Sequence, residues 1–160
     1  MRSRGLAAVV LLSLLAPAGA LAAAVDLPSL LSSEIASAKQ SAVKVLIPSQ
    51  IKPGVPHLYG SGGRSGHGYA IDLGAVPRCG EANACFVADF LGGRGALSFT
   101  ARVSLAKGIT GAFHPSTCGA SCAPATIEWR EFGALYTIQF GGAKSSLVAL
   151  ADSAIEAGPR

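Results

Sequence analysis

The spacing of apolar residues changes period several times along the chain, and each change marks an element. Over residues 28–42, Leu30, Leu31, Ile35 and Ala38 recur at three- and four-residue steps among Ser, Lys and Gln, which predicts a short N-terminal amphipathic helix. Residues 43–47 read VKVLI, a predicted strand stopped by Pro48. Three prolines and Gly54 then make residues 48–56 an extended connection. Strict alternation over residues 69–73 and 86–90 predicts two half-buried strands. The glycine-rich run 60–68 ahead of the first of them is expected to be a flexible hairpin connection. Residues 97–105 place their odd-numbered apolar side chains on one face, as an antiparallel neighbour of the 86–90 strand would.

A turn at residues 107–111 leads into Ala112, Phe113 and His114, with His114 expected as a loop residue capping the end of a strand. Residues 126–130 and 134–140, joined around Gly133, give the clearest hairpin in the chain. Within it Glu128 and Arg130 alternate with Ile127 and Trp129, so the charged pair is expected on the solvent face and Trp129 in the core. Over residues 145–156, Leu147, Leu150, Ala151, Ala154 and Ile155 share one helical face, and Gly158 and Pro159 end that helix. The order helix, meander, helix predicts an α+β fold: a twisted antiparallel sheet of about six or seven strands packed against the C-terminal helix, with a short N-terminal helix.

Composition and charge narrow the setting. Residues 1–22 read as a secretory signal peptide, with Arg2 and Arg4 ahead of an apolar run, Pro17 breaking it, and small residues at Ala18, Ala20 and Ala22 for cleavage. The apolar run is shorter than the roughly 20 residues a spanning helix needs, and no later run is long enough, so the mature chain is expected to have no transmembrane segment. The expected organisation is a signal over 1–22, a helical segment over 23–42 and one disulfide-pinned domain over 43–157. Without Arg2 and Arg4, eleven Lys/Arg stand against nine Asp/Glu. These charges are scattered singly, with no basic stripe and no interleaved aromatics, which gives nucleic-acid binding no support.

Candidate chemistry begins with Cys79, Cys85, Cys118 and Cys122. In an exported chain they are expected to form disulfides. Four cysteines allow three pairings, and local pairing is favoured because each has a partner one turn away with Gly80 and Gly119 freeing the bends. Closing either loop is worth about 2 kcal/mol of chain entropy. A redox role for Cys118 and Cys122 is disfavoured by three intervening residues and the flanking Pro115 and Pro124. A metal could be held by His114 with Cys118 and Cys122 if those thiols were free. His57 and His67 bracket the glycine run close to Ser61, Ser65 and Asp72, but the G-x-S-x-G elbow is absent, since His67 fills its last position. The run with Arg64 could cradle an anion, yet it matches neither the P-loop nor the dinucleotide fingerprint, and no cofactor is called for. Glu128 and Glu131 do not make the facing pair a glycosidase needs.

Several stretches carry a resemblance. Residues 82–86 (ANACF), 104–111 (SLAKGITG), 118–124 (CGASCAP), Ile127-Glu128-Trp129 and Tyr136-Thr137-Ile138 resemble an uncharacterised domain of bacterial exported proteins over about residues 43–155. The W…Y-x-I hairpin followed by the A-x-S-A-I helix at residues 151–155 is similar to sheet-plus-helix domains of extracytoplasmic bacterial proteins. The resemblance implies compartment and single-domain status and assigns no activity or functional residue. The expected function is a non-enzymatic binding or structural module of the bacterial cell envelope or medium, with an envelope or extracellular partner. Its candidate binding surface is Lys107, Thr110, Phe113 and His114 together with the second cysteine loop. Two alternatives stand beside it: an exported hydrolase using a His with Ser or Asp, and a His/Cys metal-binding protein.

Overall fold

A computed structural model describes residues 23–79, 84–119 and 121–160, so the expected signal peptide lies outside the described residues. The principal sheet has seven strands, all paired antiparallel: β3 (Tyr59–Ser65), β4 (Gly68–Gly74), β5 (Phe86–Gly93), β6 (Arg102–Ser104), β7 (Thr110–His114), β10 (Ala125–Glu131) and β11 (Ala134–Phe140). Their spatial order is β3-β4-β5-β11-β10-β7-β6. The fold is the expected α+β arrangement, but the sheet is two meanders, β3-β4-β5 and β6-β7-β10-β11, that meet at a central β5·β11 seam. Two small ladders flank it: β1 (Val25–Asp26) with β2 (Gln50–Ile51), and β8 (Thr117–Cys118) with β9 (Cys122–Ala123). Neither small ladder is signalled by periodicity, because two residues are too few to alternate.

Register builds the core in rows. Tyr69, Gly92, Tyr136 and Trp129 lie side by side across β4, β5, β11 and β10. Gly92 matters here because a Cβ on it would stand 2.3 Å from the Tyr69 ring, so its lack of a side chain lets the ring lie against the sheet. Trp129 stacks on Tyr136 with centroids 5.5 Å apart. The next row, Ile71, Phe90, Ile138 and Ile127, is fully apolar. Over these rows lies α3 (Lys144–Ala157), which buries Leu147, Leu150, Ala151, Ala154 and Ile155, the five residues its periodicity selects. Two short helices, α1 (Leu27–Leu30) and α2 (Ser32–Ala38), add Leu27, Leu31, Ile35 and Ala38 to the same core.

The N-terminal helix is shorter than its pattern and is broken at Leu31. Asp26 caps α1 by accepting from Ser29 N–H at 3.0 Å, and hydrogen bonds from Ser29 hold the Asp26 carboxyl below its ordinary range. Beyond α2, the Ser41 hydroxyl bonds to the Val43 backbone and offers an alternative to another helical turn.

Four further expectations are corrected. The glycine run is not a flexible connection: residues 59–65 are β3, joined to β4 by a two-residue turn whose first residue, Gly66, has φ +54°, as a type II′ hairpin requires. Small residues are needed there because α2 packs directly on β3: a Cβ on Gly60 would meet Leu31 at 2.4 Å, and one on Gly63 would meet the Ser37 hydroxyl at 2.3 Å.

Residues 43–47 do not join a sheet either. They form a strap tied to Tyr69 and Tyr136 of the sheet and to Arg160, with Val45, Leu46 and Ile47 buried in succession instead of alternately. A strap inside a protein still has backbone polar groups to satisfy. The Tyr69 hydroxyl accepts from Leu46 N–H at 3.2 Å and donates to the Leu46 carbonyl at 3.0 Å. The Tyr136 hydroxyl donates to the Lys44 carbonyl at 3.0 Å, and the Arg160 guanidinium donates to the Ile47 carbonyl at 3.0 and 3.2 Å.

Residues 97–105 enter a ladder only at β6, which pairs with β7 and not with β5. The preceding residues 94–101 cross the opposite face of the sheet. Reaching β6 from β5 means passing β11, β10 and β7, about 19 Å at the usual strand spacing, which eight extended residues can span. The crossing is anchored at each strand. A Cβ on Gly95 would meet Leu135 of β11 at 2.9 Å, Ser98 N–H donates to the Glu128 carboxylate of β10 at 2.7 Å, and Phe99 packs on His114 of β7 with centroids 4.8 Å apart. This corrects the placement of Glu128, which is only 6% exposed. Its side chain is on the face opposite Trp129, as alternation demands, but a segment distant in sequence covers that face. Arg130 remains exposed.

Candidate functional site

The sequence-derived candidates are distributed over the molecule. Cys79 pairs with Cys85 and Cys118 with Cys122, with Cα separations of 5.7 and 4.1 Å, so the local connectivity holds. The first disulfide packs against Gly74, where a Cβ would meet that of Cys79 at 2.4 Å. The second closes the β8–β9 ladder, whose residues are exposed. All four thiols are therefore engaged, and among the described residues no three of His, Cys, Asp and Glu gather closely enough to hold a metal ion.

The four residues proposed for a binding loop divide between the ends of β7. Lys107 precedes the strand and donates from Nζ to the Ile155 carbonyl at 2.6 Å. Beside it Asp152 accepts from Ala106 N–H at 2.6 Å, so this turn is tied to the C-terminal half of α3. Thr110 begins β7 and is exposed. Phe113 and His114 lie at its other end, Phe113 beneath the Lys144 ammonium and His114 against Phe99. The second cysteine loop adjoins His114 and is remote from Lys107.

The histidines do not converge. His57 precedes β3 at one end of the sheet, His67 lies in the β3–β4 turn at the other, and His114 is on β7, about 24 Å across the sheet from β3 at the usual strand spacing. Trp129 Nε1 and Glu131 Oε2 are buried without a hydrogen-bond partner among the described residues. Neither residue lines a principal concavity.

Besides a small hollow of about 290 Å³ along residues 41–45 beside Pro159 and Arg160, two larger concavities are formed among the described residues. The larger, about 510 Å³, lies between the β2 region and α3, lined by Ile51, Lys52, Phe140 and Leu150. Its rim includes Ala24, near the first of the described residues.

The second, about 420 Å³, is a trough made entirely by described residues on the back of the sheet. The crossing segment passes over β10 and β7 before it becomes β6, and leaves β4, β5 and the start of β11 open. Ala70, Leu91 and Thr137 are consecutive in one row across those three strands, and Leu135 stands in the next row beside Gly93. These half-buried side chains floor the trough. Ser65 and His67 rise from the β3–β4 turn, and Arg94 rises where the crossing segment leaves β5. The strands can approach closely at this end because Gly68 has no side chain: a Cβ on it would stand 2.0 Å from the Gly92 carbonyl oxygen. No carboxylate lines the trough.

Sequence reasoning noted Ser65 and His67 but missed Arg94, Leu91 and Leu135, which are brought beside them by strand register alone. No helix among the described residues is long and apolar enough to cross a membrane. No family model, curated protein or solved structure matches the chain, so the similarity to exported bacterial domains rests on the quoted motifs alone.

Proposed function

We propose that this is an exported bacterial protein that acts without catalysis, binding a partner or ligand in the cell envelope or medium through a disulfide-pinned scaffold. The observation that carries this reading is the use made of polar side chains. Those drawn into the fold hold backbone: Glu128 holds Ser98, Asp152 holds Ala106, and Tyr69, Tyr136 and Arg160 hold the 43–47 strap. The Arg94 guanidinium and the His67 imidazole, beside an open, largely apolar floor, are exposed and sit where a ligand would meet them. Two disulfides support an oxidising compartment.

The test combines localisation with turnover. The full chain expressed in a Gram-negative host is expected in the periplasm or medium with residues up to about 20 or 22 removed, as read by N-terminal sequencing. It is expected to release no product from ester, amide or glycoside substrates. Retention in the cytoplasm with free thiols would overturn export. Turnover that disappears in His57→Ala, His67→Ala or His114→Ala would overturn the non-enzymatic reading in favour of the hydrolase.

A further inference from the structure

We infer that the back-face trough binds a medium-chain carboxylic acid, its carboxylate against Arg94 and His67 and its chain on Ala70, Leu91 and Leu135. The inference rests on reading the protein as a binding module and goes further by naming the ligand class and the atoms that select it.

Three features of the trough define that class. The first is its floor, apolar but for the Thr137 side chain, which spans three adjacent strands and so extends about 10 Å, the length of an extended chain of about eight carbons. The second is charge. The rim offers the Arg94 guanidinium and the His67 imidazole, with the Ser65 hydroxyl beside them, and no acid. A guanidinium presents parallel donors that match a carboxylate, and an exposed one can turn to meet it.

The third feature orients the ligand. One row further along the same face Asp72 and Asp89 stand directly opposite each other on β4 and β5, about 7 Å from Ala70 and Leu91 at two residues per repeat. An anionic head is drawn to the Arg94 side, and the apolar chain lies on the floor between the guanidinium and that row. A neutral apolar ligand would gain the floor alone. A multiply charged anion would gain the rim but leave the floor uncovered.

The experiment uses the oxidised, exported protein and two isosteric probes, octanoate and octanamide, followed by amide chemical shifts. Octanoate is expected to shift Ala70, Leu91, Arg94 and Thr137 in a saturable manner, with octanamide roughly tenfold weaker. Arg94→Ala is expected to remove that preference by weakening octanoate alone. Ala70→Trp, which fills the floor without touching the rim, is expected to abolish both. Arg94 is exposed and Ala70 faces open space, so both variants should fold, and an unchanged dispersed spectrum checks this.

Equal affinity for the two probes, an Arg94→Ala variant that still prefers octanoate, or shifts confined to Ile51 and Leu150 of the other concavity would overturn the assignment. Failure of the broader reading would look different. It would appear as substrate turnover, with the trough's selectivity still measurable.

Discussion

Replacing Tyr69 by Phe removes one oxygen and leaves the ring over Gly92 in place, so its cost isolates what the hydroxyl does for the 43–47 strap. That oxygen serves both the N–H and the carbonyl of Leu46, at 3.2 and 3.0 Å. Leu46 is 2% exposed, so water cannot replace the phenol without the strap opening. Tyr136→Phe is the matched comparison. It removes the same atom from the other tyrosine of the row, across Gly92, but strands only the Lys44 carbonyl, on a residue that is itself exposed.

A buried polar group left without a partner costs about 1–3 kcal/mol, so Tyr69→Phe is expected to destabilise by about 2–5 kcal/mol and Tyr136→Phe by about 1 kcal/mol. With a urea slope of about 2 kcal/mol/M, the first change lowers the unfolding midpoint by about 1–2.5 M and the second by about 0.5 M. The assay is urea unfolding of the oxidised protein, with hydrogen exchange at the Leu46 amide as the local readout. Equal midpoint shifts, or a Leu46 amide as protected in Tyr69→Phe as in the parent, would refute the account of how the strap is held.

Other consequences can be checked alongside it. Glu128→Ala is expected to cost about 1.5–3 kcal/mol, because it breaks a charge-assisted hydrogen bond to the crossing segment. Arg130→Ala, two residues away and exposed, is expected to change stability by less than about 0.5 kcal/mol, and urea midpoints that rank the two in the other order would contradict the burial of Glu128. Burial pushes the Tyr136 phenol up to about 12 and Tyr69 higher still. Unfolded tyrosines release their protons near pH 10, so above it the folded state holds more protons than the unfolded. Stability present below pH 10 then falls by about 1.4 kcal/mol per pH unit for each tyrosine still protonated in the fold. Urea midpoints between pH 10 and 12 report this, and a slope no shallower in Tyr136→Phe than in the parent would count against it. In limiting dithiothreitol with alkylation, exposed Cys118 and Cys122 are expected to label before half-buried Cys79 and Cys85, and the reverse order would contradict their accessibilities.

What the sequence makes legible here is which side chains leave water, and what it hides is what covers them. The α3 face, the β10–β11 hairpin and Trp129 were readable because a regular period and a regular partner coincide. The VKVLI run has the composition of a strand, but its carbonyls bond to tyrosine and arginine side chains whose positions depend on residues far along the chain. Glu128 alternated correctly, and only the crossing of residues 94–101 buries it. The glycines of β3 looked like freedom because their reason, the closeness of α2, is a tertiary contact.

The candidate site was misread for a related cause. Lys107 and His114 are near in sequence, yet an extended strand separates them by its full length. Arg94 and Leu135 are 41 residues apart in numbering and line one trough because β5 and β11 are neighbours.

The crossing segment therefore has a second consequence besides stability. Its path decides which half of the back face stays open, and its first residue is Arg94. Gly95 sits on Leu135 and Ser98 is held by Glu128, so the backbone that carries Arg94 at the trough's rim is held from four residues away by a carboxylate that lines no part of the trough. Glu128 is then expected to act as a positioning residue for ligand selection. Glu128→Ala should weaken octanoate by roughly threefold to tenfold while leaving octanamide almost unchanged, because only the rim is disturbed. Glu128→Gln, which keeps a carbonyl acceptor for Ser98 N–H, should restore most of the preference. A purely structural role predicts instead that both probes weaken together in proportion to lost stability. Titrating both probes against the two variants at a temperature where each is fully folded separates the cases, and parallel weakening of octanoate and octanamide would leave Glu128 with no part in selection.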